Sequence, residues 1–97
     1  MTTPESAYVA RTLVILNPAA GQVPAERTRR LLGGAFAVRG AAFDLVETAG
    51  AGDAARLARE AVARGYRAVA AAGGDGTVAE VISGLAGSST PLGIIPQ

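Results

Sequence analysis

Residues 68–77 read Ala-Val-Ala-Ala-Ala-Gly-Gly-Asp-Gly-Thr, and the architecture of the chain can be worked out from this stretch. The first five residues are small and apolar, which predicts a short buried strand over 68–72. Small side chains in a central strand let helices approach the sheet closely. The glycines that follow end the strand, and a helix is predicted over 78–86. A strand, a Gly-rich loop and a helix in direct succession are typical of a parallel α/β sheet.

The rest of the chain repeats this alternation of short apolar runs and amphipathic stretches. Asp44 and Glu47 fall within one predicted strand, which favours a place for it at the sheet edge. The last strand, 92–95, is expected to be buried. The predicted fold is therefore α/β, an open parallel sheet with right-handed crossovers and helices on both faces. The predicted strands are 13–16, 43–48, 68–72 and 92–95, and the predicted helices are 24–38, 54–64 and 78–86.

The sequence also predicts how the helices begin and end. Asp53 is expected to be the N-cap of the second helix and Gly65 its stop. Thr77, followed three residues later by Glu80, matches the capping-box pattern at the start of the third helix. The side chains of that helix predicted to face inward are Val78, Val81, Ile82 and Leu85.

The composition excludes several classes of function. All nine basic residues are Arg, they are scattered among eight acids, and the net charge is +1, so no nucleic-acid partner is expected. The chain has no Cys and no His, which removes thiolate chemistry and the commonest general base. The first residues do not resemble a signal peptide, and no apolar run is long enough to span a bilayer. A cytoplasmic location is expected, and peripheral contact with a membrane is left open.

Three polar or Gly-rich segments follow predicted strands and precede predicted helices. Ligands of open parallel sheets bind beyond the carboxyl ends of the strands, where helix N-termini attract anions. The sequence therefore predicts a phosphate site on one rim, although such segments also occur as plain turns. The three segments are Asn17-Pro18-Ala19-Ala20-Gly21, Thr48-Ala49-Gly50-Ala51-Gly52 and Gly73-Gly74-Asp75-Gly76-Thr77.

Asp75 is the most informative residue of the third segment. Gly73 and Gly74 allow positive φ and a close backbone approach to a ligand. A carboxylate beside phosphates is repelled unless it binds Mg²⁺, accepts a hydrogen bond from the nucleotide or takes a substrate proton. Neither the Walker A pattern nor a G-x-G-x-x-G after the first strand is present.

Four motifs in order resemble the diacylglycerol kinase catalytic domain family, over about residues 11–97. Gly73-Gly74-Asp75-Gly76-Thr77 with Glu80-Val81 resembles its signature, and Asn17-Pro18-Ala19-Ala20-Gly21 resembles its Asn-Pro-x-Ser-Gly loop. Thr48 before Gly52-Asp53-Ala54 is similar to a third motif. The run from Pro91 to Pro96 is similar to the strand that leads into a Gly-Thr-Gly-Asn loop. NAD kinases and phosphofructokinases share the Gly-Gly-Asp-Gly element, so this element alone indicates only the superfamily, with its Rossmann-like three-layer fold.

The resemblance implies an ATP-dependent lipid kinase that uses Mg²⁺ and transfers the γ-phosphoryl group to a diacylglycerol-like lipid hydroxyl. Asp75 would be catalytic. No residue of this chain is expected to belong to a dedicated metal site. Ala20 and Ala79 stand where the family often has Ser and Asn, which removes one polar contact each. The residues implied to bind the nucleotide are Asn17, Pro18, Ala19, Ala20, Gly21, Thr48, Gly73, Gly74, Asp75, Gly76, Thr77, Val78, Ala79 and Glu80.

Residues 1–97 are thus expected to be the N-terminal nucleotide-binding part of such a domain, without its C-terminal β-rich domain. Two alternatives stay open, a kinase of NAD or another small-molecule hydroxyl, and a non-catalytic nucleotide-binding module. The isolated chain is expected to be inactive as a kinase, because donor, metal and acceptor must be held together. Its last strand is expected to be an unpaired edge that drives homo-oligomer formation, which light scattering would test.

Overall fold

The chain folds into a four-stranded parallel sheet with three helices, in a computed structural model that describes residues 8–18 and 24–95. Strand order is β2-β1-β3-β4. The α/β alternation expected from the sequence is confirmed, and most element ends agree within two residues. The strands are β1 (Arg11–Leu16), β2 (Ala42–Glu47), β3 (Ala68–Ala72) and β4 (Leu92–Ile95), and the helices are α1 (Ala25–Val38), α2 (Asp53–Arg64) and α3 (Asp75–Leu85).

Helices cover both faces of the sheet, as predicted. Alternate residues of each strand point to opposite faces, so the apolar runs of β1 and β3 supply two separate cores. On one face Val14, Leu16, Ala70 and Ala72 pack with Leu32 of α1. The second core, beneath α2 and α3, contains Leu13, Ile15, Ala54, Ala58, Ala61, Val69, Ala71, Val81 and Leu85.

Helices α2 and α3 approach each other unusually closely at Gly84. A Cβ built on Gly84 would overlap the carbonyl oxygen of Ala55 and would lie 2.7 Å from Cβ of Ala58. Both Ala58 and Gly84 are buried. Small side chains on both helices therefore set the spacing between α2 and α3.

A polar network at the amino ends of the strands anchors β2 to β1. Arg11 donates from Nε to Oδ2 of Asp44 (3.0 Å) and from Nη2 to Oδ1 (2.6 Å), and Nη2 also donates to the Phe43 carbonyl (2.9 Å). The hydroxyl of Tyr66 donates to Oδ2 of Asp44 at 2.7 Å. The Arg11 guanidinium lowers the pKa of Asp44, and burial together with the bond to Asp44 raises the pKa of Tyr66 to about 12. These bonds explain how edge strand β2, predicted as such, accommodates an acid.

Two expectations about burial are wrong. The expected burial of β4 is wrong at Ile94, which is 59% exposed. Its expected position at a sheet edge is confirmed, because β4 pairs with β3 alone among the described residues. Ile82 of α3 is 52% exposed, whereas Thr77, Val81, Gly84 and Leu85 form the buried side of that helix. An apolar side chain at helical spacing is thus not sufficient for burial, because the partner surface must extend far enough to cover it.

Two expected helix caps are also wrong. α3 begins at Asp75 with Gly74 as its N-cap, so Thr77 lies inside the first turn and cannot form the capping box. An acid is favourable in a first helical turn because it faces the positive end of the helix dipole. The N-cap of α2 is Gly52, at φ 87°, and Asp53 is its first residue. The stop at Gly65 is confirmed, with φ 83°. No helix of the described residues is long and apolar enough to cross a membrane.

Gly84→Ala should lower the free energy of unfolding by about 1–3 kcal/mol, because the added methyl group overpacks the contact between α2 and α3. Gly34→Ala is the matched control, since Gly34 is a helical glycine with open space around its Cβ position. The control should raise the free energy by about 0.5–1 kcal/mol. Urea denaturation of both variants measures the difference, and an equal response of the two would contradict the packing role of Gly84.

Asp44→Asn should remove the pH-dependent stabilisation that the network of Arg11, Asp44 and Tyr66 provides. The pKa of Asp44 is lowered by folding, so its contribution is present above its unfolded value and is lost as pH falls through the folded value. The free energy of unfolding of the parent should therefore decrease as the pH is lowered below about 4. The Asp44→Asn variant should be less stable by about 1 kcal/mol at pH 7, and its free energy of unfolding should decrease less in acid. Tyr8→Phe leaves Tyr66 as the only tyrosine, so both proteins are compared with this change present. Absorbance titration should then give a lower pKa for Tyr66 in the protein with Asp44→Asn than in the protein without it. Only part of the shift should disappear, because burial is its larger cause.

Candidate functional site

A cleft of about 470 Å³ lies at the carboxyl ends of β1, β2 and β3. All three segments singled out in the sequence contribute to it, which confirms that they share one rim. Its volume is within the range of about 300–1,000 Å³ of small-molecule sites. The residues that line it are Asn17, Pro18, Thr48, Ala49, Gly50, Ala51, Ala54, Gly76, Thr77 and Glu80.

A side-chain hydrogen bond joins two of these segments at the topological switch point. From β1 the chain crosses first to β2 on one side and then returns to β3 on the other. Ligands of open α/β sheets bind in the crevice that this reversal creates. There, Nδ2 of Asn17 donates to Oγ1 of Thr77 at 3.2 Å. The bond ties the end of β1 to the first turn of α3, across the floor of the cleft.

Gly73 allows Thr77 to occupy this position. A Cβ on Gly73 would lie 2.7 Å from Oγ1 of Thr77 and 2.9 Å from its Cβ, so no other residue fits without displacing Thr77. Thr77 is 5% exposed. The sequence predicted two reasons for the glycines of this loop, positive φ and a close backbone approach to a ligand. The first is wrong, because neither Gly73 nor Gly74 has positive φ, and the second stays a prediction. The requirement at Gly73 is steric.

The second segment is held by the carboxylate of Asp53. Its Oδ2 accepts a hydrogen bond from the amide of Ala49 at 2.7 Å, and its own amide donates to the Gly50 carbonyl at 3.2 Å. The bond from Ala49, with a smaller contribution from Arg56, lowers the pKa of Asp53. Asp53 therefore fixes the loop that walls the cleft, rather than capping the helix as the sequence predicted.

The remaining predicted site residues lie around the cleft rather than in its lining. Gly73 and Gly74 lead into α3, Asp75 is exposed in its first turn, Val78 packs toward the core and Ala79 is exposed. Their predicted contacts with a nucleotide stay predictions. Ala19, Ala20 and Gly21 lie outside the described residues.

Four lining residues were missed as site residues, namely Ala49, Gly50, Ala51 and Ala54. The first three belong to a segment that the sequence placed on the rim but that also fits a plain turn. Ala54 sits on the apolar stripe of α2 and is 2% exposed, so its spacing indicates core packing alone. The sequence feature that could have identified these residues is the position of residues 48–52 directly after a strand. Ala and Gly side chains have no functional group that would indicate a site.

The cleft can bind an anion through main-chain groups. The first amides of a helix have no acceptor within the helix, and the helix dipole makes that end positive. Gly76 and Thr77, in the first turn of α3, and Ala54, in the first turn of α2, all line the cleft. Asn17 and Thr48 add polar side chains. The arrangement therefore fits phosphate groups.

A divalent cation also fits this donor set. Glu80 lines the cleft and no arginine does, so a bound polyphosphate would face a carboxylate without a protein cation to offset it. Mg²⁺ typically uses one or two carboxylates together with substrate phosphates, so a single carboxylate is sufficient. Among the described residues no three acids gather into a metal cluster.

Together, the parallel sheet and the strand-end cleft define an α/β domain whose cleft fits an anionic small molecule. The family model of the diacylglycerol kinase catalytic domain matches residues 11–97. This chain belongs to that family. The resemblance carried by the four sequence motifs is thereby confirmed.

Several similar proteins are named diacylglycerol kinase or probable lipid kinase. A diacylglycerol kinase of Mycobacterium tuberculosis (strain H37Rv) is 38% identical over 91 residues, which are 91% of this chain and 28% of that protein. The diacylglycerol kinase of Bacillus subtilis (strain 168) is 36% identical over 88 residues, 89% of this chain and 29% of the relative. A probable lipid kinase YegS-like protein of Pseudomonas putida is 45% identical over 56 residues, 56% of this chain and 19% of the relative. The chain spans less than a third of the length of these relatives.

Solved structures agree with the fold. The crystal structure of a diacylglycerol kinase from Bacillus anthracis superposes with a TM-score of 0.72 at 32% identity. The match covers 90% of this chain and 32% of that structure.

Gly73→Ala should weaken nucleotide binding about tenfold, because the new methyl group displaces Thr77 and breaks its hydrogen bond to Asn17. Gly93→Ala is the matched control. Its methyl group would make ordinary contact with Cβ of Ala70 at 3.6 Å, away from the cleft. Calorimetric titration of the full product of the gene with ATP measures both variants. If Gly73→Ala binds ATP with unchanged affinity, the Asn17–Thr77 hydrogen bond does not contribute to nucleotide binding.

Proposed function

We propose that this chain is the nucleotide-binding part of an ATP-dependent lipid kinase, which transfers the γ-phosphoryl group of ATP to the hydroxyl of a diacylglycerol-like lipid. The observation that carries the proposal is the meeting of three strand-end segments in one cleft, joined at the switch point by the Asn17–Thr77 bond. Family membership and the relatives named diacylglycerol kinase or lipid kinase support the choice of a lipid acceptor.

The cleft residues would act by positioning, since phosphoryl transfer depends mainly on alignment and charge stabilisation. The amides of Gly76 and Thr77 would hold phosphate oxygens, and Thr48 and Asn17 would hydrogen-bond the nucleotide. The buried floor between β1 and β3 keeps these groups in fixed positions. When bound, ATP supplies the phosphoryl group and Mg²⁺ neutralises its charge.

Asp75 is assigned the organisation of the metal and phosphates. Its backbone is one residue before Gly76 of the cleft, and its carboxylate is exposed in the first turn of α3. In the proposal this side chain turns toward a cation held between the phosphates and Glu80. Among the described residues Asp75 makes no hydrogen bond or ion pair that would hold it away.

The lipid-binding groups and the general base are proposed to lie outside these 97 residues. The chain spans 28% of its Mycobacterium relatives, and it contains no His. Inactivity of the isolated chain and its homo-oligomer formation stay predictions. The exposed side chain of Ile94, on the β4 edge, provides an apolar group for such association.

Asp75→Asn, made in the full product of the gene, should lower turnover by at least a hundredfold while leaving the thermal unfolding curve unchanged. The reason is that the carboxylate is exposed, so the fold gains little from its charge, whereas transition-state charge must be balanced during transfer. Glu26→Gln is the matched control, because Glu26 is also an exposed acid in a first helical turn and lies on α1.

Radiolabelled ATP with diacylglycerol, sphingosine and NAD as acceptors measures the effect and identifies the acceptor class. Near-parental turnover of Asp75→Asn would refute its assignment. Transfer to NAD alone would refute the lipid acceptor, and no transfer with intact ATP binding would favour the non-catalytic module.

A further inference from the structure

Residues 49–52 form a wall of the cleft that has almost no side chains. The segment reads Ala-Gly-Ala-Gly, and all four residues are exposed. The first three of them line the cleft. Glycine loses more backbone freedom on ordering than any other residue, so a segment of this composition is costly to fix. Because it buries no large apolar side chain, its conformation has to be held by hydrogen bonds.

The carboxylate of Asp53 supplies the side-chain hydrogen bond to this segment. Its Oδ2 accepts from the amide of Ala49 at 2.7 Å. The amide of Asp53 donates to the Gly50 carbonyl at 3.2 Å, so the side chain and the backbone of one residue close the same turn. In the described part of the chain, no other side chain hydrogen-bonds to residues 49–52.

The other oxygen of Asp53 faces the helix that carries it. Oδ1 lies 3.5 Å from Nη2 of Arg56, whose Nη1 lies 2.8 Å from Oε2 of Glu60. These three positions follow one another at helical spacings of three and four residues. The opposite side of α2 is anchored in the core by Ala54 and Ala58, which are 2% and 0% exposed. The carboxylate is therefore held on a rigid element while it holds a loop.

The acids in the first turns of the other two helices are not used in this way. Glu26 of α1 and Asp75 of α3 are exposed and make no hydrogen bond or ion pair with other residues that the structure describes. An acid in a first turn is favourable through the helix dipole alone, which requires only a negative charge. The bond from Ala49 requires an oxygen atom in the place of Oδ2. The two roles can therefore be separated by a neutral side chain that keeps the oxygen.

We propose that Asp53 is a positioning residue for nucleotide binding, which holds residues 49–52 in their binding conformation before the nucleotide arrives. Asp53 does not line the cleft, so it acts through the loop rather than on the ligand. A loop that is ordered in advance spares the ligand the loss of entropy that ordering would cost on binding. This role rests on the nucleotide of the proposed function and not on its lipid acceptor.

Calorimetric titration of the full product of the gene with ATP and Mg²⁺ tests the proposal. Asp53→Ala should weaken ATP binding about tenfold, because one hydrogen bond to a charged group is lost and the loop is then ordered only on binding. Asp53→Asn retains an oxygen that accepts from Ala49, so its affinity should stay within about threefold of the parent. In kinetic assays the KM for ATP should rise in Asp53→Ala while kcat is unchanged, since the chemical step follows ordering.

Glu60→Gln is the matched control. It removes the charge that holds Arg56 and leaves the bond between Asp53 and Ala49 in place, so ATP affinity should not change. Without nucleotide, hydrogen exchange followed by mass spectrometry should be faster over residues 48–52 in Asp53→Ala than in the parent or the control. Unchanged exchange over the rest of the chain would show that the fold is intact and that the effect is local.

Three results would overturn the proposal. They are parental ATP affinity in Asp53→Ala, an equal loss of affinity in Asp53→Asn and Asp53→Ala, and a fall in kcat with KM unchanged. The second would assign Asp53 to the helix dipole, and the third would assign it to the chemical step. If the variants rank as expected but the parent phosphorylates no lipid, the positioning role is supported and the proposed lipid acceptor alone is contradicted.

Discussion

The close approach of α2 and α3 is the constraint on which the geometry of the cleft depends. It is possible only because Gly84 faces Ala55 and Ala58, so that one backbone reaches the other without an intervening side chain. The small residues of β3 let the same helices lie close to the sheet. The contact joins the last turn of α3 to the first two turns of α2, and the first turns of both helices line one cleft. Packing of the smallest side chains therefore fixes how the helices that line the site lie against each other, although these side chains carry no chemistry.

Much of the fold follows from local patterns. Continuous apolar runs such as 13–16, bounded by turn residues, identify buried parallel strands, and the stripe of α2 identifies its buried side. The errors at Ile82 and Ile94 have a common cause. A sequence pattern shows which side chains could be buried, but burial also requires a neighbouring surface, and the extent of that surface is a property of the whole fold.

The cleft was predictable in place but less so in detail. Strand-end position and glycine content located the rim, because those features follow from topology. The misplaced start of α3 arose because Thr77 followed by Glu80 satisfies the capping-box pattern, whereas the hydroxyl of Thr77 is used by Asn17, sixty residues away in the chain. A partner so distant in sequence leaves no local signal. The same limitation applies to Gly73, because the lack of a Cβ there is required by the side chain of Thr77 and not by a positive φ.

The network of Arg11, Asp44 and Tyr66 lies at the amino ends of the strands, and the cleft lies at their carboxyl ends. Strands 4–6 residues long separate the two, and no residue belongs to both. Substitutions that strengthen the network can therefore accumulate without altering the cleft, and the cleft can diversify without loosening the network. Such a division lets a lineage adjust heat tolerance and ligand preference independently.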